Sequence, residues 1–378
     1  MRKRSGGVIT VALVLGLLAL VFGAVAGQKS VVPPAGEAPT IGVPPTYWSP
    51  AGSSDALTPR VAAVPTKIAQ LQKPPQLVKV RIGYSPVFEQ IPLFAAKELG
   101  YFAQEGIDAD LVQFRAGAEM TAAMIGGSID IQVTTTDRAI ILFEKGQRVK
   151  NLVGMMNRVP QTVIVRKELN IPYGDMKALR GKVIGIASPG GGTDLHLRYY
   201  LKMAGLVPDK DVKIIAVGSG SAMLAAIHAQ SVDGVNAVEP VTTLAVEVSK
   251  IATPVLDVAK DGPGLFKNMP WLALSATAKW IEANAETVKK VIRAQVRTHN
   301  ELRADPRKAL TVVKNYFEKI DPAVAESILR KQASFWAAPI TEEEIRAAAQ
   351  LDKELGLLTK EVTYDDVVVS KEFRDLWK

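Results

Sequence analysis

The sequence predicts an α/β protein with two successive units, each a mostly parallel sheet flanked by helices. Short apolar runs alternate with amphipathic stretches from residue 78 to residue 258, which is typical of a chain that winds through parallel strands. This alternation comes as two successive series, and 378 residues suffice for two hydrophobic cores. We therefore expect one lobe from each series.

The first series begins at residues 78–82, where Val78, Val80 and Ile82 alternate with Lys79 and Arg81. Such alternation indicates a half-buried strand. Apolar runs predict further strands at 111–112, 129–133, 149–153 and 162–165. Helical spacing predicts helices at 93–102, 118–125 and 140–144.

The most informative stretch of the second series runs from residue 179 to residue 206 and reads LRGKVIGIASPGGGTDLHLRYYLKMAGL. A strand is predicted at 183–187, Pro189 and the three glycines after it interrupt the strand, and a helix comes next with Thr193 or Asp194 as its cap. Free backbone N–H groups at such a helix start suit an oxygen-rich ligand. The alternative is a turn that only connects the strand to the helix.

The rest of the second series predicts strands at 214–217, 232–238 and 255–258 and helices at 222–230 and 242–249. A last strand is predicted at 272–274. Long amphipathic helices are predicted after it at 285–303, 306–319, 322–334 and 342–355. Asp305-Pro306, Asp321-Pro322 and Thr341 are start signals for three of them. We expect these helices to pack back onto the first lobe.

The N-terminal segment has the features of a secretory signal. Arg2, Lys3 and Arg4 precede an apolar stretch at 8–22, and Ala24-Val25-Ala26 is a small-residue cleavage site. The alternative is a segment that stays as a membrane anchor. Residues 28–77 hold ten of the 23 prolines, which predicts a mostly extended, flexible segment rather than a compact cap.

Composition excludes several function classes. The net charge of +8 is interspersed with acids and includes the three basic residues of the signal, so we expect no nucleic-acid partner. The chain has no cysteine, hence no thiol nucleophile and no cysteine-based metal site. The three histidines, His196, His228 and His299, lie far apart without metal-ligand spacing. Only His196, one helical turn from the glycine loop, is a candidate to reach a cleft.

From about residue 79 to residue 377 the chain resembles solute-binding proteins of ABC transporters of the nitrate, sulfonate and taurine kind, within the thiamine-pyrimidine synthase-like clan. The segments that carry the resemblance are VRIGYSP, LFAAKELGYFAQEGID, AGAEMTAAMIGGSIDIQV, LRGKVIGIASPGGGTDL and AAIHAQSVDGVNAVEP. The resemblance implies a periplasmic-binding-protein fold with the ligand held in the cleft between the lobes. It implies no catalysis, no cofactor and no metal site.

The resemblance also implies which turns line the cleft, all of them at strand ends of the predicted sheets. Carried over position by position, the expected ligand-binding residues are Ser85, Phe88, Gln90, Thr134, Thr135, Thr136, Asp137, Ser188, Gly190, Gly191, Gly192, Thr193, Ser219, Ser221 and Glu239. The expected organisation is a signal peptide at 1–26, a proline-rich segment at 27–77, a first lobe at 78–170 plus 264–378, and a second lobe at 171–263. The hinge crossings are expected near 167–177 and 257–264.

Two acidic residues shape the expected ligand. Asp194 lies beside the free N–H groups of the glycine loop, which disfavours a simple anion and favours an amine-bearing, zwitterionic or aromatic ligand. Glu239 ends a strand before Pro240, and we expect its carboxylate to face the cleft and hold a ligand donor. An arginine from the facing lobe is the alternative partner.

The expected function is an extracytoplasmic receptor, a monomer that delivers a small organic ligand to an ABC-transporter permease. Sulfonates, amino-pyrimidines and aromatic acids are the ligand classes that fit. An enzyme of the same clan, acting on a pyrimidine-like substrate, is an alternative, although it would call for a cysteine-rich motif. A ligand-sensing subunit for a membrane partner is another.

We predict that the exported protein begins close to Gly27, because basic residues, an apolar run and a small-residue site stand in that order. Intact-mass analysis of the exported protein measures this directly. A protein that keeps Met1 and remains in the membrane would contradict the prediction.

Overall fold

The computed structural model describes residues 76–115 and 117–378. The predicted signal peptide and all but the last two residues of the proline-rich segment lie outside the described residues. Within the described part, ten strands form two five-stranded sheets, as the sequence predicts for two lobes.

The first sheet has the order β2-β1-β3-β10-β4. Its strands are β1 (Val78–Tyr84), β2 (Ile107–Gln113), β3 (Ile131–Thr135), β4 (Val149–Gly154) and β10 (Leu272–Thr277). Strand β10 runs antiparallel to β3 and β4, whereas β1 runs parallel to β2 and β3. The sheet is therefore mostly parallel, and its one antiparallel strand is the one that returns from the other lobe.

The second sheet has the order β7-β6-β8-β5-β9 and repeats this arrangement. Its strands are β5 (Thr162–Arg166), β6 (Val183–Ile186), β7 (Lys213–Ala216), β8 (Gly234–Ala237) and β9 (Ala252–Asp257). Strand β5 is antiparallel to both neighbours, and β6 is parallel to β7 and β8. We call each sheet with the helices packed on it a lobe.

The predicted helices are found at or near their expected positions. The α-helices are α1 (Ile91–Glu98), α2 (Tyr101–Gln104), α3 (Gly117–Ile125), α4 (Arg138–Glu144), α5 (Gly192–Met203), α6 (Ser221–His228), α7 (Val241–Thr243), α8 (Val258–Asp261), α9 (Ala278–Ala283), α10 (Ala285–Ala304), α11 (Leu310–Tyr316), α12 (Pro322–Gln332), α13 (Glu342–Glu354), α14 (Tyr364–Val367) and α15 (Lys371–Arg374). The sequence analysis did not predict the four short helices α8, α9, α14 and α15. In the described part of the chain, no helix has the length and hydropathy needed to cross a membrane.

Shorter helical turns complete several of these elements. The 3-10 turns are Phe88–Gln90, Lys167–Leu169, Met176–Leu179, Gly264–Asn268, Pro306–Ala309, Ala333–Phe335 and Asp375–Trp377. A π-helical turn, Leu244–Val248, continues α7. The helix predicted at 93–102 is divided into α1 and α2 because Gly100 between them has a φ of 75°, a left-handed conformation that glycine adopts readily.

The C-terminal helices pack on the first lobe, as expected. Phe94 of α1 stacks on Tyr316 of α11 with 4.2 Å between the ring centroids, and Phe88 contacts Phe317 at 4.6 Å. The amphipathic α10 buries Val288, among others, against this lobe. The apolar faces of these helices therefore extend the first core.

One part of the predicted organisation is wrong in detail. The division at residue 170 assigned β5 to the first lobe, but β5 is hydrogen-bonded between β8 and β9 of the second sheet. The chain therefore crosses between the sheets at residues 155–161, earlier than the predicted 167–177, and returns at residues 258–271. Apolar character alone could not assign β5, because a crossing strand pairs with neighbours that are distant in sequence. We propose these two segments as the hinge.

Asp352 of α13 is fully buried, and neither of its carboxylate oxygens has a hydrogen-bond partner among the described residues. Burial, together with the charge of Asp137, raises the pKa of Asp352 to about 9, while Arg138 partly opposes the shift. The folded protein thus holds this carboxyl group protonated at neutral pH, whereas the unfolded chain ionises it at about pH 4.

We predict that Asp352→Asn raises the melting temperature at pH 7.5 by roughly 2–4 °C or more, since each kcal/mol gained is worth about that much in a protein of this size. Between about pH 4 and pH 9 the folded state binds one more proton than the unfolded state, at Asp352. The free energy of unfolding of the unchanged protein therefore falls as pH rises through that window. The gain should therefore shrink toward pH 4. Differential scanning calorimetry at several pH values measures it.

The exposed Asp108→Asn is the matched control and should change the melting temperature little at any pH. If Asp352→Asn destabilises the protein at every pH, Asp352 is ionised and stabilises the fold through Arg138, contrary to the prediction.

Candidate functional site

A cavity of about 80 Å³ lies between the two lobes, at the ends of strands from both sheets. The residues that line it are Ser85, Val87, Gln90, Gly117, Val133, Thr134, Thr135, Arg138, Ala187, Ser188, Gly191, Gly192, Thr193, Ser219, Gly220, Met223, Val238, Trp271 and Leu272. Most come from turns after β1, β3, β6, β7 and β8, which is where ligands bind in open α/β sheets.

Nine of the expected ligand-binding residues lie in this lining: Ser85, Gln90, Thr134, Thr135, Ser188, Gly191, Gly192, Thr193 and Ser219. Six do not: Phe88, Thr136, Asp137, Gly190, Ser221 and Glu239. Phe88 is buried against Phe317, and the N–H of Thr136 donates to the carbonyl of Trp271 at 3.0 Å. That the nine bind a ligand stays a prediction.

Glu239 does not face the cavity as expected. Its carboxylate accepts hydrogen bonds from the backbone N–H of Thr243 at 3.0 Å and from the Thr243 hydroxyl at 2.9 Å. It therefore binds the first turn of the helix after it. Burial raises the pKa of Glu239, and these two hydrogen bonds oppose the shift. Among the described residues its side chain is held locally by Thr243 and not by an arginine of the other lobe. That Glu239 binds a ligand stays a prediction.

Hydrogen bonds within the second lobe hold the glycine loop of residues 188–193 in place. Gly191, rather than Thr193 or Asp194, is the N-cap of α5, and the Thr193 hydroxyl instead accepts the N–H of Ala187 at 2.9 Å. Asp194 accepts the N–H of Gly190 at 2.7 Å and the Nε–H of Arg198 at 2.6 Å. Asp194 thus takes up an N–H group of the loop, as expected, and its carboxylate is also paired with Arg198.

Gly192 lies at a close approach of the two lobes beside the cavity. A Cβ atom at this position would lie 2.5 Å from Cγ2 of Thr135 and 2.7 Å from the ring of Trp271. Real Cβ atoms essentially never show contacts this short. A glycine is required here because α5 of the second lobe begins against side chains held by the first sheet.

Arg138 is a lining residue that the sequence analysis missed. It is the first residue of α4, nine-tenths buried, and its Nη2 donates to the carbonyl of Gly190 in the other lobe at 2.5 Å. Its Nε has no partner among the described residues. The sequence did contain a signal for Arg138. A cation at a helix N-terminus opposes the helix dipole, so its presence there indicates a role other than stabilising the helix.

Four lining residues carry a buried side-chain polar atom without a hydrogen-bond partner among the described residues: Thr134 Oγ1, Arg138 Nε, Ser188 Oγ and Trp271 Nε1. Arginine and tryptophan nitrogens only donate, and the two hydroxyls can donate. Buried polar groups are normally hydrogen-bonded, so four unpartnered atoms in the lining of one cavity call for an explanation. Among the described residues, unpartnered donor atoms are therefore concentrated in residues that line the cavity.

His196 does not line the cavity. Burial lowers its pKa to about 4, so the ring is neutral at physiological pH. Its Nδ1 lies 3.2 Å from Oε1 of Gln161, which also accepts from the hydroxyl of Tyr200 at 2.9 Å. The same amide oxygen lies 3.3 Å from Nδ2 of Asn236, which holds the carbonyl of Thr193 at 2.8 Å. His196 thus belongs to a network that ties α5 to the first crossing segment.

Comparison with known proteins gives a family and a fold. The model of the NMT1-like family matches residues 73–314. The nitrate/nitrite-binding protein NrtA of Nostoc sp. is 25% identical over 374 residues, covering 86% of this chain and 83% of that protein.

Two solved structures share the fold. The alkanesulfonate-binding protein SsuA from Xanthomonas axonopodis pv. citri, bound to MOPS, has a TM-score of 0.65 at 21% identity, covering 77% of this chain and 98% of that one. The periplasmic nitrate-binding protein NrtA from Synechocystis PCC 6803 has a TM-score of 0.63 at 17% identity, covering 80% of this chain and 88% of that one. The resemblance drawn from the sequence motifs is therefore confirmed.

We predict that Gly192→Ala holds the lobes apart, because the added methyl group would overlap Thr135 and Trp271. Small-angle X-ray scattering should give a larger radius of gyration than for the unchanged protein. Gly117→Ala is the control, since its Cβ would come no closer than 3.4 Å to the Thr134 side chain of its own lobe. Equal radii for all three proteins would show that Gly192 is not needed for the contact.

Proposed function

Because the chain belongs to the NMT1-like family, we propose that it is an extracytoplasmic solute-binding protein that captures a small molecule between its lobes and presents it to an ABC-transporter permease. The fold and the cavity between the sheets support this proposal. The proteins reported above bind nitrate, nitrite or alkanesulfonates by their names, and none is named as an enzyme. A periplasmic location fits the signal-like N-terminus and the periplasmic relative.

We further propose that the ligand is a small oxygen-rich anion. The observation that carries this is the set of unpartnered donors in residues that line the cavity, above all the guanidinium of Arg138 and the indole N–H of Trp271. A ligand that brings acceptor oxygens satisfies donors of this kind, whereas an amine would leave them unpaired. The start of α5 adds backbone N–H groups and the positive end of a helix dipole.

The size of the cavity narrows the ligand further. About 80 Å³ is far below the roughly 300–1,000 Å³ that is usual for drug-sized ligands. In this arrangement of the lobes, a ligand of a few non-hydrogen atoms fits, such as nitrate, bicarbonate or a short carboxylate or sulfonate. An amino-pyrimidine or aromatic acid would need the lobes further apart.

We predict that one or more small oxyanions raise the melting temperature in a thermal-shift screen. The screen should compare nitrate, nitrite, bicarbonate, acetate and methanesulfonate with ethanolamine and an amino-pyrimidine, at constant ionic strength. A ligand at about 100 times its dissociation constant adds about 2.7 kcal/mol, which such a screen detects. Stabilisation by the amine or the pyrimidine alone would contradict the proposed ligand class.

Arg138→Gln separates binding at the cavity from a general salt effect. Losing a charge-assisted hydrogen bond worth about 1.5–3 kcal/mol should weaken binding of the stabilising anion by tenfold or more. Arg346→Gln, a change at an exposed arginine of α13 outside the cavity, is the matched control and should leave the affinity unchanged. Equal loss in both variants would indicate a non-specific charge effect.

The two alternatives differ from the proposal in the fate of the bound molecule. A ligand sensor would bind the same anion but signal to a membrane partner, and neighbouring permease and ATPase genes would favour transport. An enzyme of the clan would consume its substrate, so the recovered anion would be altered after incubation with the protein.

A further inference from the structure

A second contact between the lobes lies away from the glycine loop, at the 3-10 turn Phe88–Gln90 of the first lobe. The N–H of Phe88 donates to the carbonyl of Glu239 at 3.2 Å. The N–H of Glu239 in turn donates to Oε1 of Glu89 at 3.0 Å. Both backbone polar groups of Glu239, in the second lobe, are therefore held by the first lobe.

Glu89 has an unusual environment for a carboxyl group. It is fully buried, and its Oε1 also accepts from Nε2 of Gln332 in α12 at 2.8 Å. Its Oε2 has no partner among the described residues. An ionised carboxylate at this position would lack a countercharge, which is costly in a buried site.

The groups around Glu89 also disfavour its ionised form. Gln332 is neutral, and the titratable group that faces Glu89 from the second lobe is the carboxyl of Glu239. Lys331 and Glu247 pair with each other at 2.6 Å near the surface and act on Glu239 rather than on Glu89. No ion pair to Glu89 is found among the described residues.

We propose that closure of the two lobes takes up a proton at Glu89, so that retention of the captured molecule depends on the pH of the compartment. The inference rests on the proposed function, because it requires lobes that open and close. Glu239 covers Glu89 in this arrangement through a hydrogen bond between the lobes, and we expect separation of the lobes to expose the carboxyl group to water.

The direction of the effect is set by the pKa of Glu89 in the two arrangements. Burial, followed by the repulsion from Glu239, raises the pKa of Glu89 from 4.5 to about 8 in the closed arrangement, against the opposing effect of its hydrogen bonds. In the open arrangement we expect a pKa near that of a free glutamate, about 4.3. Opening then releases a proton, so the ratio of closed to open protein falls about tenfold per pH unit between about pH 5 and pH 8.

The chain is suited to a direct test, because it has no cysteine of its own. Glu119 on α3 and Ala225 on α6 are exposed and belong to different lobes, so Glu119→Cys with Ala225→Cys allows one spin label on each lobe. Pulsed electron paramagnetic resonance on the ligand-free protein measures the two populations. We expect the closed-to-open ratio to fall about 100-fold between pH 5.5 and pH 7.5, the value for one linked proton over two pH units.

Glu89→Gln keeps the shape and the acceptor oxygen but cannot ionise. In the labelled protein it should hold the acid ratio at both pH values, whereas Glu239→Gln should keep most of the pH dependence. A ratio independent of pH in the unchanged protein, or an equal pH dependence in Glu89→Gln, would overturn the proposal.

The outcome can be separated from that of the proposed function. If nitrate or another screened anion stabilises the protein while closure shows no pH dependence, the proton coupling is wrong and the binding function stands. If closure depends on pH but none of the screened anions binds, the coupling stands and the proposed ligand class is wrong.

Discussion

The relative position of the two lobes depends on the contact between the start of α5 and the end of β3. Gly192 lies where any larger residue would overlap Thr135 and Trp271. The backbone of the second lobe therefore packs directly on side chains of the first lobe. The contact brings the glycine loop within hydrogen-bond reach of Arg138 in the first lobe. It also sets the volume of the cavity, because the lining residues lie on one side of this junction or the other.

Polar groups at this junction are distributed unevenly. Two of the carboxylates that the sequence places near the cleft are satisfied by their own lobe: Asp194 by Arg198 and Glu239 by Thr243. Neither carboxylate oxygen of Asp137 has a hydrogen-bond partner among the described residues. Arg138 Nε and Trp271 Nε1 have no hydrogen-bond partner among the described residues. Since an unpaired buried donor is costly, these atoms are the basis of the proposal that the ligand brings acceptor oxygens.

The fold could be predicted from the sequence to a large extent. Periodicity located the strands, the glycine loop and the long C-terminal helices because each of these signals is local. The assignment of β5 failed for the opposite reason. Thr162–Arg166 reads as an apolar strand wherever it is placed, and only its pairing with β8 and β9, far away in sequence, decides to which sheet it belongs.

The candidate site shows the same limit at the level of single side chains. The resemblance implied the turns at strand ends, and nine of the expected residues lie in the lining of the cavity. The roles of charged residues were harder to predict, because local sequence does not distinguish among the partners that a carboxylate such as Glu239 can have. Its side chain binds Thr243, and its backbone, which no side-chain pattern describes, binds Glu89 across the cleft. Thus the acid that is fully buried at this interface is Glu89, and Glu239 supplies backbone groups that cover it.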